Sequence, residues 1–140
     1  MLTENVSLAV GISRAEAGLR KRLDGPLGGG HGLGFTDFQI LTELDAVQGG
    51  RLRSGDLAAR LMLTPSGVTR AVLPLEKIGL LQRQPDERDA RATYICLTDA
   101  GRERVTQASE TVERVVAQAL DALTRSDRLT LLGVFERLGY

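Results

Sequence analysis

The sequence predicts a mainly α-helical chain carrying one small β-hairpin, and three observations support this. Two short helical patterns meet at a tight turn near Met62–Thr64. Two strand-like runs bracket a loop that packs three carboxylates and two arginines into Asp86–Arg91. Amphipathic helical stripes occupy both ends of the chain. At 140 residues the chain is long enough for one domain with a sizeable core.

Taken in order, Leu8, Ile12, Ala15, Leu19 and Leu23 recur at spacings of three and four, which predicts a helix from about Ser7 to Leu23. The glycines and proline of "DGPLGGGHGLG" are expected to end it. His31, inside that break, is expected to be mobile and solvated; no Cys, Asp or His partner stands at metal-site spacing around it. A second helix is predicted from Thr36, with Thr36 as cap, Gln39 three residues on, and Phe35 with Ile40 as a hydrophobic staple. "GGRLR" reads as a turn and a very short extended piece. "SGDLAARL" reads as a helix capped by Ser54, with Asp56 favourably placed in its first turn.

The next helix has Thr64 as N-cap, Pro65 at the first helical position, where a missing N–H costs nothing, and Gly79 at its far end. Pro74 removes a hydrogen bond to the Arg70 carbonyl, so a kink or loosened turn is expected there. "LLQRQ" and "ATYICLT" are alternating or β-branched and predict a hairpin around the charged loop. Thr98 can cap a long helix in which Val105, Ala108, Val112, Val115, Ala119 and Leu123 keep the helical period. Thr124 starts a last one with Leu129, Leu132, Phe135 and Leu138.

Composition narrows the function. The net charge is zero, but residues 51–104 hold ten basic against seven acidic side chains, a positive middle that permits a polyanionic partner. No apolar run reaches bilayer length, and Glu4 stands where a secretory signal would carry a cation, so a cytoplasmic address is expected. The single cysteine, Cys96, excludes an internal disulfide and fits a reducing compartment; it reads as a half-buried structural thiol. "GPLGGGHGLG" lacks the P-loop lysine and does not open from a strand, which removes a nucleotide site; no enzyme activity and no cofactor are expected.

Helix, tight turn, helix and hairpin, in that order, make a winged helix-turn-helix, flanked here by N- and C-terminal helices. Val68, Val72, Leu75 and Ile78 would face Leu57, Leu61 and the first strand. Ser66, Gly67, Thr69 and Arg70 would then form the opposite face, offering small hydroxyls, a closely approaching backbone and one guanidinium to base edges. Arg51 and Arg53 flank the short strand and are candidates for phosphate contact.

From "LAARLMLTPSGVTRAVLPLEKIGLLQR" through "DERDARATYICLTDAGRE", the chain resembles the MarR family of bacterial transcription regulators. The Asp–x–Arg unit, the strand after it and "LT-x-x-G" are the more specific marks. The resemblance implies double-stranded DNA as partner, a reading module over residues 36–102, and a helical dimerisation region made of 1–35 and 103–140. It also implies a homodimer on a palindromic operator, repressor behaviour, and release by a small-molecule effector. By the same resemblance, Arg91 at the wing tip would enter the minor groove, Asp89 would hold its guanidinium, and Arg88 would meet phosphate. With Thr64 these join the reading-face residues as the expected DNA-binding set. Phe35, Phe38 and Leu41 are the expected lining of an effector pocket. A winged helix serving as a protein adaptor, or an architectural DNA binder without effector, is the alternative.

Overall fold

In the computed structural model, which describes residues 1–140, six α-helices frame a three-stranded antiparallel sheet. The helices are α1 (Glu4–His31), α2 (Phe35–Ala46), α3 (Ser54–Leu61), α4 (Pro65–Lys77), α5 (Asp99–Ala119) and α6 (Arg125–Leu138). The strands are β1 (Arg51–Arg53), β2 (Leu81–Pro85) and β3 (Thr93–Leu97), in the order β1-β3-β2. The expected hairpin is β2–β3, and the short extended piece joins it as a third strand with Leu52 opposite Ile95.

α1 is longer than the sequence pattern indicated. It runs through Pro26 and the glycines to His31 and ends at Gly32, which takes the left-handed conformation at φ 67°. The reason is tertiary. Leu23 and Leu27 are fully buried, so packing holds helical a segment of poor intrinsic propensity. His31 is correspondingly not a solvated loop residue. It is half-buried, its Nε2 lies 2.7 Å from the Thr111 hydroxyl of α5, and its carbonyl accepts from the Arg104 guanidinium.

Two caps also shift. α2 begins at Phe35, and the Gly34 N–H donates to the Asp37 carboxylate at 2.8 Å. Thr36 and Gln39 instead receive the Arg20 guanidinium of α1. Phe35 stacks on Phe38, with ring centroids 6.3 Å apart, in place of the expected contact as a staple. In α3 the N-cap is Arg53, because β1 keeps that residue extended, and Ser54 becomes the first helical residue with no capping bond. Thr64, Thr98 and Thr124 cap as expected, each accepting the N–H three residues on. α4 continues unbroken past Pro74 to Lys77.

The core is centred on α2. Ile40, Leu41 and Leu44 meet Leu23 and Leu27 of α1, Leu57 of α3, Val68, Val72 and Leu75 of α4, and Val105 and Ala108 of α5. Ile78, expected among the inward residues, is 55% exposed because the helix has already ended and the chain is turning toward Gly79. α6 buries no residue, and Leu129, Leu132, Phe135 and Leu138 all lie exposed.

One close backbone approach fixes α5 on this core. The Thr98 hydroxyl donates to the Gly79 carbonyl at 2.6 Å and accepts from the Gly101 N–H at 3.0 Å. A Cβ at Gly101 would overlap the Leu80 carbonyl oxygen and the Leu97 side chain. This is a physical account of "LT-x-x-G". Gly101→Ala is expected to destabilise the fold by about 1–3 kcal/mol through overpacking against backbone. Gly30→Ala, helical with nothing near its Cβ position, is expected to stabilise by about 0.5–1 kcal/mol. Urea denaturation of the two variants checks both signs; a stable Gly101→Ala would remove the close approach as a constraint.

Candidate nucleic-acid interface

The start of α4 is rigid and polar. Thr64 Oγ1 accepts from the Gly67 N–H at 3.0 Å and lies 3.2 Å from the Ser66 hydroxyl. Pro65 occupies the first turn without wasting a donor. Gly67 keeps this turn close to Thr64, since a Cβ there would sit 3.1 Å from Thr64 Oγ1. Thr69 Oγ1 donates to the Pro65 carbonyl at 3.1 Å, which leaves its oxygen lone pairs facing outward. Ser66, Thr69 and Arg70 are exposed, and Arg70 has no carboxylate partner. Three exposed polar residues, Ser66, Thr69 and Arg70, therefore stand away from buried Val68 and Val72.

The wing turns by two consecutive Asx motifs, and these are written in the sequence as "DERDAR". Asp86 Oδ1 accepts from the Arg88 N–H at 2.9 Å, and Asp89 Oδ1 accepts from the Arg91 N–H at 3.0 Å. The Asp86 N–H donates to the Ala92 carbonyl at 3.0 Å and closes the loop. Asp89 thus acts on the backbone of Arg91, and no ion pair joins its carboxylate to the Arg91 guanidinium, which corrects the expected side-chain clamp. A short aspartate next to its own turn bonds the nearer donor, the N–H two residues on.

The two wing arginines diverge. Arg91 lines a cleft of about 200 Å³ beside α4 with Arg83, Ser54, Thr69 and Thr93. Arg88 lines a separate cleft of about 400 Å³ on the opposite face of the sheet. Strand alternation explains the second cleft: Arg53, Tyr94 and Gln84 form a cross-strand row facing out, while Leu52 and Ile95 face in. Arg83, which the sequence reading passed over, is held by Glu76 of α4 at 2.5 Å and so ties the hairpin to that helix.

Asp86 is the only charged residue that the fold buries, at 8% exposure. Its Oδ2 pairs with the Arg53 guanidinium at 2.5 Å. The Arg88 N–H, and next the Arg53 charge, hold its carboxyl below the ordinary aspartate range. Arg53 and Arg51 in turn lie over the Tyr94 ring, at 5.8 and 4.3 Å from its centroid. None of this was read from the sequence, although a proline followed by Asp–x–Arg is a turn signal. Burial pushes the Cys96 thiol up, away from thiolate chemistry. Phe38 and Leu41 are core residues, and Phe35 sits half-buried under the Arg20 guanidinium; none of the three lines either cleft.

A depressed folded-state pKa stabilises above the unfolded value and ceases to do so as pH falls through the folded one. Asp86→Asn is therefore expected to be less stable than the parent near neutrality, with the gap closing as acid drops below the ordinary aspartate range. Paired urea titrations across the acid limb check this; a gap that is constant with pH would remove the ionised carboxylate as its cause.

Comparison with known proteins places this geometry. Residues 31–92 match the model of the MarR family. The HTH-type transcriptional regulator YdgJ of Bacillus subtilis is 28% identical over 107 residues, 76% of this chain and 64% of its own length. The chain thus spans a little under two thirds of that relative. Sco3205, a MarR family transcriptional regulator from Streptomyces coelicolor solved in complex with DNA, is 28% identical with a TM-score of 0.86, over 99% of this chain and 88% of its own. The organohalide-sensing regulator RdhR-CbdbA1625, solved with 2,4-dichlorophenol bound, is 25% identical with a TM-score of 0.84, over 99% and 80%. These relatives and neighbours are described as transcriptional regulators, and through residues 31–92 and its winged helix-turn-helix this chain is similar to the MarR family.

Proposed function

We propose that this chain is a sequence-specific double-stranded DNA-binding regulator that acts as a homodimeric repressor on a palindromic operator. The observation that carries the reading is the pairing of an exposed, capped polar turn on α4 with Arg91 on the same side of the wing. Ser66, Gly67, Thr69 and Arg70 would address base edges in the major groove, and Arg91 the adjacent minor groove. Thr64 and Asp89 position these groups, the first through the helix cap and the second through the wing backbone. Sco3205, of the same fold, is solved on DNA, which supports the partner.

Dimerisation is supported by what the single chain leaves uncovered. Leu8 and Ile12 of α1 and Leu129, Leu132 and Phe135 of α6 are between 42% and 59% exposed. Apolar stripes of that length at both chain ends are covered if two copies pack about a two-fold axis. Such an axis would set two α4 helices about one DNA turn apart, roughly 34 Å. A small molecule that alters this spacing would release the operator; RdhR-CbdbA1625 with its bound dichlorophenol supports that step. No helix is long and apolar enough to cross a membrane, which agrees with action on DNA in the cytoplasm.

Selection of bound sequences from a random duplex library is expected to return a palindrome. On that site Arg70→Ala should cost about 1–3 kcal/mol per subunit, with a smaller loss on random duplex; equal losses by fluorescence anisotropy would demote Arg70 to a phosphate contact. Truncation at Leu123 should abolish dimer and operator binding together. A truncated chain that sediments as a dimer would overturn the role given to α6.

A further inference from the structure

We propose that the 400 Å³ cleft on the outer face of the wing is a second binding site, one that takes a phosphate group. It lies across the sheet from the α4 cleft and shares no lining residue with it. Its walls are Arg51 and Arg53 of β1, Gln84 and Pro85 of β2, Asp86, Glu87 and Arg88 of the wing loop, and Tyr94 of β3. Three guanidiniums meet there against two carboxylates, and the carboxylates are not equivalent. Asp86 is buried and already committed to Arg53 and to the Arg88 N–H. Glu87 is exposed and has no cationic partner.

The cations are built in, not simply present. Arg51 and Arg53 are two residues apart on one strand, so both project from the same face. Arg51 lies 4.3 Å from the Tyr94 ring centroid, an arrangement that fixes the guanidinium plane and leaves its edge donors free. Arg53 is braced from below by Asp86 through a single nitrogen, Nη2. Neither Arg51 nor Arg88 has a carboxylate partner anywhere in the chain. Planar, forked donors from three arginines facing one polar cleft suit the several oxygens of a phosphate, which can accept from more than one guanidinium at once, better than a halide. The site is therefore complete on one chain and needs no operator.

Occupancy would act on the wing, because the same aspartate that braces Arg53 closes the Arg88 turn three residues before Arg91. A phosphate drawing Arg53 and Arg88 together would stiffen the loop that carries Arg91. Two sources supply the same chemistry: a DNA backbone phosphate passing the wing's flank, or a free phosphorylated small molecule.

Inorganic pyrophosphate is the probe, titrated into the isotope-labelled full chain at constant ionic strength without DNA. Amide and arginine Nε resonances of residues 51, 53, 84–88 and 94 should move together and saturate. Arg51→Gln with Arg88→Gln should lower the affinity at least about tenfold, and Glu87→Gln should raise it. Arg114→Gln on exposed α5 should leave it unchanged, and unperturbed resonances elsewhere will show that each variant folds. Shifts spread equally over Arg14, Arg114 and Arg125, or an unaltered affinity in the Arg51/Arg88 variant, would overturn the site. The salt dependence of random-duplex binding then identifies the source. A slope reduced by about one per lost phosphate contact in that variant assigns the backbone phosphate, and an unchanged slope assigns the free ligand.

Discussion

The rest of the architecture depends on the approach of α5 to the turn between α4 and β2. Thr98 is at once the cap of α5 and a donor to the Gly79 carbonyl, and Gly101 lets the two backbones touch. That contact joins the reading elements to the long helix that packs on α1. Its consequence is angular. Once α5 is seated there, the direction of α4 relative to the helical scaffold is set, and with it the spacing that a two-fold partner would impose. A side chain at position 101 would act where the α5 and Leu80 backbones come together.

Within the reading elements, two ion pairs set the wing against the helix-turn-helix. Glu76–Arg83 links α4 to β2, and Asp86–Arg53 links the wing loop to the residue that caps α3. The first pair is solvent-accessible on both sides and contributes little to stability. Its role is orientation. In the second pair the carboxylate is buried, accepts a backbone N–H as well, and would leave an unpaired charge if its partner were lost. Arg83 of the first pair and Arg91 line the cleft beside α4, while the second pair lines the cleft on the other face. The wing's charges, which nearly cancel on paper, are separated by the fold into a turn-forming set and an outward-facing set.

The distribution of apolar surface points the same way as the charge. The buried core gathers around α2 and does not extend to α6 or to the first half of α1. α6 is capped by Thr124 at its start and by Gly139 at its end, and the apolar stripes of both helices lie exposed. In the proposed two-fold assembly a second copy would cover both stripes.

The sequence by itself determined the element order, the caps at Thr64, Thr98 and Thr124, the polar face of α4 and the hairpin. These rest on local chemistry: a hydroxyl reaching an N–H three residues on, a proline that needs no donor, or an alternation of period two. The tandem Asp–x–Arg turns are complete within three residues, yet the sequence was read there for a carboxylate holding the Arg91 guanidinium, and the bonds go to backbone N–H groups instead. Tertiary structure alone decided the rest. α1 stays helical through four glycines and a proline because Leu23 and Leu27 are held in the core, a contact no helix propensity contains. His31 meets Thr111, and Asp86 meets Arg53, across 80 and 33 positions of chain. Which arginine of one loop faces α4, and which faces away, follows from the register of β3 between its two neighbours. Register and long-range pairing are properties of the assembled sheet, and residue spacing carries no record of them.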